Sequence, residues 1–325
     1  MISGGNNERL AREFFRNLNL PWPAEGCSVE DALAALDPEW LEEFGLTAEE
    51  IPLRLAEFLE TMTRASALRP LRSLTVLGGR DKAGAPEEAE LRLVPGDAVS
   101  VVGPTGSGKS RLLADIECLA QGDTPTGRRV LIDDAPVDED ERFRLGGKLV
   151  AQLSQNMNFV MDLTVAEFLE MHARSRMPDS ADSDVEAACA HCFERANGLA
   201  GERFAQDTKV TQLSGGQSRA LMIADCAYLS RSPVVLIDEI ENAGVDRREA
   251  LALLSSREKI VLISTHDPLL ALEADRRVVI RGGGIRQVIE TDEEERSALA
   301  ALEAIDRTLR EARQQLRYGE SVRIP

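Results

Sequence analysis

The sequence predicts an α/β fold with a mixed, largely parallel sheet, a helical insert, and a separate helical segment at the N-terminus. Three observations carry this expectation. From about residue 72 to 290, β-branched runs alternate with helical stretches, the pattern of strands joined by crossover helices. A glycine-rich stretch, Gly103-Pro-Thr-Gly-Ser-Gly-Lys-Ser110, sits between the apolar run Val99 to Val102 and a helical pattern carrying Leu112, Leu113 and Ile116. Before residue 72 there is no such alternation, only helical periodicity with caps. The expected organisation is a helical domain over 1–71, an α/β domain over 72–290 with its insert at about 163–212, and a C-terminal helix over 291–325.

Four short helices are expected in the first segment. One runs from Asn7 to Leu18. A second opens at Ser28, where Ser28-Val-Glu-Asp31 resembles a capping box with Asp in the Glu position. A third covers Pro38 to Phe44 and stops at Gly45. The fourth is opened by Thr47-Ala-Glu-Glu50 and carries Ile51, Leu55, Phe58 and Leu59 on one face. Between Glu25 and Glu60 only Arg54 is basic among many acids, which fits a solvated face or a docking surface for a basic partner.

Strands follow at Leu74 to Leu77, Ala89 to Val94 and Ala98 to Val102, separated by Gly- and Pro-bearing turns. The insert contains a polar linker, Met177 to Asp184. The tail from Thr291 to Tyr318 reads as one helix, capped by Thr291-Asp-Glu-Glu294, with acids in its first turn and Arg310, Arg313 and Arg317 near its end. Leu302, Ile305, Leu309, Ala312 and Leu316 form a spacing of 3, 4, 3, 4. This seam is expected to pack on its own domain, with dimer or partner contact as the other reading.

Composition bounds the function. A chain of 325 residues suits about two domains, and 43% hydrophobic content supplies a core and excludes a disordered chain. The formal charge of -18 argues against nucleic acid as a partner. No apolar run is long enough to span a bilayer, and MISGGNNERL lacks a basic-then-apolar leader, so a cytoplasmic location is expected, with a peripheral place at the inner face of a membrane compatible. The five cysteines are too scattered for a disulfide framework. The 38 basic residues include only five lysines, Lys82, Lys109, Lys148, Lys209 and Lys259, so a lysine inside a motif stands out.

The segment 103–110 matches the phosphate-loop pattern G-x-x-x-x-G-K-[ST]. Glycines let backbone N–H groups curl around phosphate oxygens, and the following helix points its positive end at the same anion. Lys109 is expected at the β- and γ-phosphates and Ser110 on Mg²⁺. The apolar strand Val234 to Ile237 ends in Asp238 and Glu239, placing one acid to hold Mg²⁺ and the next to polarise water. Leu213-Ser-Gly-Gly-Gln217 opens a helix, where a hydroxyl, bare N–H groups and a helix dipole converge on an anion; an ordinary Ser-capped helix would read the same. Cys189 and Cys192 lie on one helix with His191 between them, which fits two small apolar residues better than a metal pair.

In this order, the phosphate loop, Leu213 to Gln217, the Asp238-Glu239 strand and Ser264-Thr-His266-Asp resemble an ATP-binding cassette (ABC) ATPase, over about residues 72 to 288. The resemblance implies a P-loop NTPase cassette that hydrolyses ATP with Mg²⁺. It implies nucleotide contacts from Gly103, Pro104, Thr105, Gly106, Ser107, Gly108, Lys109 and Ser110. It implies Mg²⁺ held by Ser110, Gln155 and Asp238, with Glu239 as the base and His266 as the switch at the γ-phosphate. Gln155 precedes Leu163-Thr-Val165 at the family's spacing, with Gln152 the poorer competitor. Ser214, Gly215, Gly216 and Gln217 would close the site of a second cassette, so a homodimer is expected, with a heterodimer as the other reading, and Asp246 would couple the two sites.

Two departures stand out. The family's adenine-stacking aromatic is missing, since no Trp, Tyr or Phe lies between Phe58 and Phe143, and Arg80 falls near its position. The usual Asp-Glu-Pro-Thr continuation is replaced by Asp238-Glu-Ile-Glu-Asn242. With the acidic N-terminal segment and the tail helix, this second departure places first a soluble ATP-driven clamp acting on a protein, in assembly or activation of an enzyme. The alternative is the ATP-binding subunit of a transporter docked on a membrane permease.

Overall fold

The computed structural model describes residues 11–12, 14–16, 18, 20–23, 27–37, 41, 47, 50–66, 70–145, 149–154, 159–177, 180–238, 245, 247–255 and 258–322. The chain divides into two compact units, Met1–Pro70 and Leu71–Pro325.

In the first unit, residues 11–12 and 14–16 are helical, followed by α1 (Val29–Ala34) and α2 (Glu50–Ser66). Ser28 caps α1 by accepting the Asp31 N–H at 3.1 Å. The box is not reciprocal: the Ser28 hydroxyl donates to the Asp31 carboxylate at 2.7 Å, because Asp is one methylene too short to reach back to the cap N–H. Thr47 accepts the Glu50 N–H at 3.3 Å. Phe15, Val29, Ala32, Ile51 and Leu55 form this unit's own apolar core. Apart from Leu41, which is buried, the expected helix over 38–44 and its stop lie outside the described residues, as do residues 7–10.

The second unit holds two sheets. β1 (Leu74–Leu77), β2 (Leu91–Leu93), β4 (Arg129–Ile132) and β5 (Ala135–Pro136) make an antiparallel sheet in the order β2-β1-β4-β5. β3 (Ala98–Val102), β6 (Val150–Leu153), β7 (Val234–Asp238), β8 (Ile260–Ser264), β9 (Arg276–Arg281) and β10 (Gly284–Glu290) make the larger sheet, ordered β10-β9-β3-β8-β7-β6. All its pairs are parallel except β9 with β10, so the mixed, largely parallel sheet expected from the sequence is this one. The first two strands do not join it. Leu91, Arg92 and Leu93 alternate buried, exposed, buried, which suits a sheet covered on one face. β3, β7 and β8 are buried almost throughout, as crossover-covered parallel strands are.

Helices α3 (Lys109–Glu117), α4 (Glu139–Leu145), α5 (Val165–Arg176), α6 (Asp182–Leu199), α7 (Gly215–Tyr228), α8 (Arg247–Ser255), α9 (Pro268–Glu273) and α10 (Glu293–Arg317) complete the unit. α5, α6 and the turn Val210–Gln212 form the insert, packed with α7 around Phe168, Leu169, Cys192 and Leu221. α6 starts at Asp182, inside the stretch read as a linker.

The tail helix differs from expectation at both ends. Asp292, not Thr291, caps it, accepting the Glu295 N–H at 2.8 Å. Thr291 is buried and donates its hydroxyl to Ala274 O at 2.6 Å, which ties the preceding chain to the body. The first half of α10 is held by ion pairs of Arg277 with Glu295 and Arg248 with Glu303, both at 2.8 Å. Beyond them the seam is not packed: Ile305, Leu309 and Leu316 are 58%, 49% and 65% exposed.

Candidate functional site

Three parallel strands present their C-terminal ends side by side. β3 leads into the Gly103–Gly108 loop and α3, β8 leads into Thr265 and His266, and β7 ends at Asp238. Such an edge is where open parallel sheets place their ligands. Asp238 stands in register with Ser264, so the acid and the His266 segment occupy neighbouring strands.

The loop is shaped by glycines where no side chain would fit. Gly108 has φ 106°, and a Cβ there would lie 3.0 Å from the Cα of Gly283 in the β9–β10 turn. That turn backs the loop from behind, and the Gly283 N–H donates to Ser107 O at 2.7 Å. The loop therefore faces outward with its N–H groups at the start of α3, as an anion cradle requires. Pro104, Thr105, Gly106 and Ser110 are exposed, while Ser107 and Lys109 are buried.

The Lys109 ammonium donates to Gly103 O at 3.0 Å and meets His266 Nε2 at the same distance. An ammonium only donates, so Nε2 is the acceptor and the imidazole proton sits on Nδ1. Val102, Gly103, Thr265, His266, Asp267 and Pro268 line a cleft of about 180 Å³ beside this pair. Asp267 starts α9 by accepting the Leu269 N–H at 2.8 Å, which fixes the chain after His266.

Asp238 Oδ1 is buried with no hydrogen-bond partner. An orphaned carboxylate oxygen, with the exposed Ser110 hydroxyl at the head of α3, forms a hard-oxygen donor set of the kind Mg²⁺ takes. The residues present fit that ion. Gln155, Glu239 and Asp246 lie outside the described residues. Gln152 lies in β6 beside Glu117, and its amide, oriented with the nitrogen toward that carboxylate, donates to Glu117 Oε1 at 2.7 Å. Glu117 ends the helix that Lys109 begins, about 12 Å along at 1.5 Å per residue, so Gln152 serves the far end of α3.

Ser214 caps α7 in a reciprocal box. Its hydroxyl accepts the Gln217 N–H at 3.3 Å, and Gln217 Oε1 accepts the Ser214 N–H at 2.9 Å. Gln217 also donates to Glu202 O at 3.3 Å. Ser214 and Gly215 are exposed, and a Cβ on Gly215 would meet nothing within 4 Å. This helix start is an open, positively polarised end free to meet an anion brought by another surface.

Arg80 is exposed on the β1–β2 turn, and its guanidinium donates to Gly84 O at 3.2 Å within that turn. On the same turn, it is Lys82 that touches the phosphate loop, its ammonium donating to Gly106 O at 2.9 Å.

Sequence reading also missed what stands behind the loop. Arg128 is fully buried and joins three elements: it donates to Asp115 Oδ2 of α3 at 2.9 Å, to Glu87 Oε1 at 3.1 Å and to Gly283 O at 2.9 Å. Thr126 donates to the same Asp115 oxygen at 2.7 Å. The signal was available in Asp115, an acid on the apolar face of α3 beside Leu112 and Ile116. Burial pushes the Cys192 thiol up, and that of Cys226 up to about 12, so both are neutral thiols in the folded chain. His191 stacks edge-on against Tyr228.

Comparison with known proteins places this geometry. Residues 87–242 match the family described as "ABC transporter". An uncharacterized ABC transporter ATP-binding protein, MJ0121 of Methanocaldococcus jannaschii, is 49% identical over 251 residues, covering 77% of this chain and 94% of that protein. The macrolide export ATP-binding/permease protein MacB of Brucella abortus is 33% identical over 60% of this chain, which spans 30% of MacB's length. A dimeric structure of the ABC transporter cassette MJ0796 aligns with a TM-score of 0.53 at 25% identity, over 67% of this chain and 99% of that one. The same cassette in a dimeric post-hydrolysis state bound to ADP and Pi gives 0.52 at 24%, a likeness of fold. No described helix is long and apolar enough to cross a membrane. The chain belongs to the ABC transporter family of ATP-binding cassettes, and it is an ATP hydrolase of that type.

Proposed function

We propose that this chain is the ATP-binding subunit of a membrane transport complex, working as a clamp of two cassettes at the cytoplasmic face of a membrane permease. The carrying observation is the sheet edge, where Lys109, His266 and the unpartnered Asp238 oxygen meet the phosphate loop, in a chain whose relatives are described as transporter ATP-binding proteins. The soluble clamp placed first from the sequence gives way, since it rested on the terminal segments and the unusual run after Glu239, and no relative reported above is described as acting on a soluble enzyme.

In this reading the N–H groups of Gly103 to Ser110 cradle the phosphates. Lys109 leaves Gly103 O and His266 Nε2 for the phosphate oxygens; with its proton then carried on Nε2 instead of Nδ1, the freed His266 donates to the γ-phosphate. Asp238, Ser110 and Gln155 hold Mg²⁺, which neutralises charge on the phosphates when bound. Glu239 orients and polarises the attacking water. Arg80 lies against the adenine. Ser214, Gly215, Gly216 and Gln217 of one cassette close the site of its partner, and Asp246 couples the two sites. Hydrolysis releases the clamp and the motion passes to the permease.

The test is the Glu239→Gln variant, which keeps ATP binding, loses turnover and accumulates as an ATP-bound dimer. Purified from separated membrane and soluble fractions, it is expected to bring an integral membrane partner with it. Turnover at the wild-type rate would remove Glu239 from the base role, and recovery with a soluble enzyme only would refute the transport reading.

A further inference from the structure

We propose that Lys82 is a nucleotide-contacting residue: its ammonium, carried on the turn after β1, binds the phosphate chain from outside the Gly103–Ser110 loop. The proposal rests on the reading of that loop as the nucleotide site and adds a second cation to it, separate from Lys109.

Lysine is scarce here, five residues against 56 acids. In so acidic a chain the ordinary fate of a surface cation is a carboxylate, and neighbouring arginines have found theirs: Arg286 pairs with Asp81 and Glu88, and Arg92 with Asp134. Lys82 has not. Among the described residues its ammonium pairs with no carboxylate and donates instead to Gly106 O, on the rim of the loop. Asp81, its neighbour in the chain, is already occupied. It accepts the N–H groups of Ala83 and Ala85, each at 2.9 Å, and bonds Arg286 at 2.7 Å. The Ala85 bond leads the interactions that hold its carboxyl below the usual range.

The position of Lys82 is built. Its N–H donates to Gly282 O at 2.7 Å. A Cβ on Gly283 would lie 3.1 Å from Lys82 Cγ, and a Cβ on Gly108 would lie 3.0 Å from Gly283 Cα. The lysine stem, the hairpin turn and the loop are thus stacked in contact, and the stack exists because two of its layers are glycine. The stem reaches over that stack to the loop's outer rim.

An ammonium carries three N–H donors, and Gly106 O uses one. Two remain at the mouth of an anion cradle. Lys109 cannot supply this contact from where it lies, buried inside the loop between Gly103 O and His266. A compact charge reads phosphate, not base. With no aromatic residue between Phe58 and Phe143, affinity at this end of the site is then drawn from charge.

The experiment measures binding of Mg-ATP, Mg-GTP and inorganic tripolyphosphate by calorimetry, at low and high salt, to wild type, Lys82→Ala, Lys82→Gln and Lys82→Arg. Both neutral variants are expected to weaken all three ligands by similar factors, on the order of ten-fold at low salt and less at high salt, while Lys82→Arg stays near wild type. Glutamine keeps an N–H donor and most of the stem while removing the charge, so it separates charge from loop support. Wild-type affinity in Lys82→Gln would overturn the proposal, leaving Lys82 a prop for the loop. A loss for ATP with none for tripolyphosphate would overturn it as well, since the contact would then be to base or sugar. A wild-type chain that binds no Mg-ATP, like Lys109→Ala, would refute the nucleotide site itself.

Discussion

Arg128→Met is the sharpest test of how the phosphate loop is supported. Arg128 and Asp115 have no exposed side-chain surface and Glu87 has 3%, so three charges share one dry site. Met fills the stem's volume and removes the guanidinium. Breaking one partner from a buried ion pair costs about 3–5 kcal/mol, because the remaining charge is left uncompensated. Two carboxylates lose a partner here, but neither is abandoned. Arg111 still lies 3.1 Å from Asp115, Thr126 still donates to it, and the Ile285 N–H still donates to Glu87 at 2.7 Å. The expected loss is therefore at the lower end, about 3 kcal/mol, a large part of the roughly 5–15 kcal/mol that holds a domain together. Gly283 O also loses its donor, so the hairpin behind Gly108 loosens and Mg-ATP affinity falls with stability. The assay is urea unfolding followed by far-UV ellipticity. Trp fluorescence reports the other unit, since Trp22 and Trp40 are the chain's two tryptophans and both precede residue 70. Adding Asp115→Asn and Glu87→Gln to the variant should recover part of the loss by removing the stranded charges. A loss below about 1 kcal/mol for Arg128→Met alone would refute the argument that this cluster braces the loop.

Lys109→Ala should abolish measurable Mg-ATP affinity in equilibrium binding, since it removes the buried ammonium that otherwise bridges Gly103 and His266; unchanged affinity would count against the loop as the phosphate site. Ser214→Arg should leave ATP binding by the single cassette intact and abolish hydrolysis, because a long side chain at that exposed helix start obstructs closure onto a partner; normal turnover by a strictly monomeric Ser214→Arg protein would eliminate the two-cassette clamp. The Arg277–Glu295 pair gives an acid-sensitive anchor for α10. The hydrogen bond from Arg277 holds the Glu295 carboxyl below its usual 4.5, so this stabilisation is full above that pH and is lost as pH falls through the lowered value. Protection factors at the start of α10, with the intrinsic pH dependence of amide exchange divided out, should fall across that window in wild type and change less in Glu295→Gln.

Much of the architecture was legible because the parallel strands are continuous apolar runs. Val234 to Ile237 marks β7 to within its last residue, Asp238, since strands buried on both faces carry no polar interruption. The separation of β1 and β2 into another sheet was not legible, because a strand's partner is set by contacts across the chain: β1 finds β4 more than fifty residues away. Local chemistry misled at Thr291, where sequence spacing favoured one cap and a long-range bond to Ala274 claimed it. At the site, the loop, Asp238 and His266 were marked by motif. Lys82 and Arg128 were not, since their partners Gly106, Glu87, Asp115 and Gly283 are assembled only by the fold.

The pairing of β3 also governs how this chain can come into being. Val99 lies against Leu262 on one side and Arg276 on the other, so the central strand waits for partners more than 160 residues downstream. At about 5–20 residues per second of synthesis, that is about 10–35 s during which an exposed apolar strand has no sheet to join. The loop waits as long, since the glycine behind Gly108 is residue 283. A nascent chain can therefore display the whole phosphate-loop motif and still be unable to grip nucleotide. Competence arrives late and all at once, when the β9–β10 hairpin leaves the ribosome, so chaperones that shield the emerging segment should govern yield more than ATP concentration does.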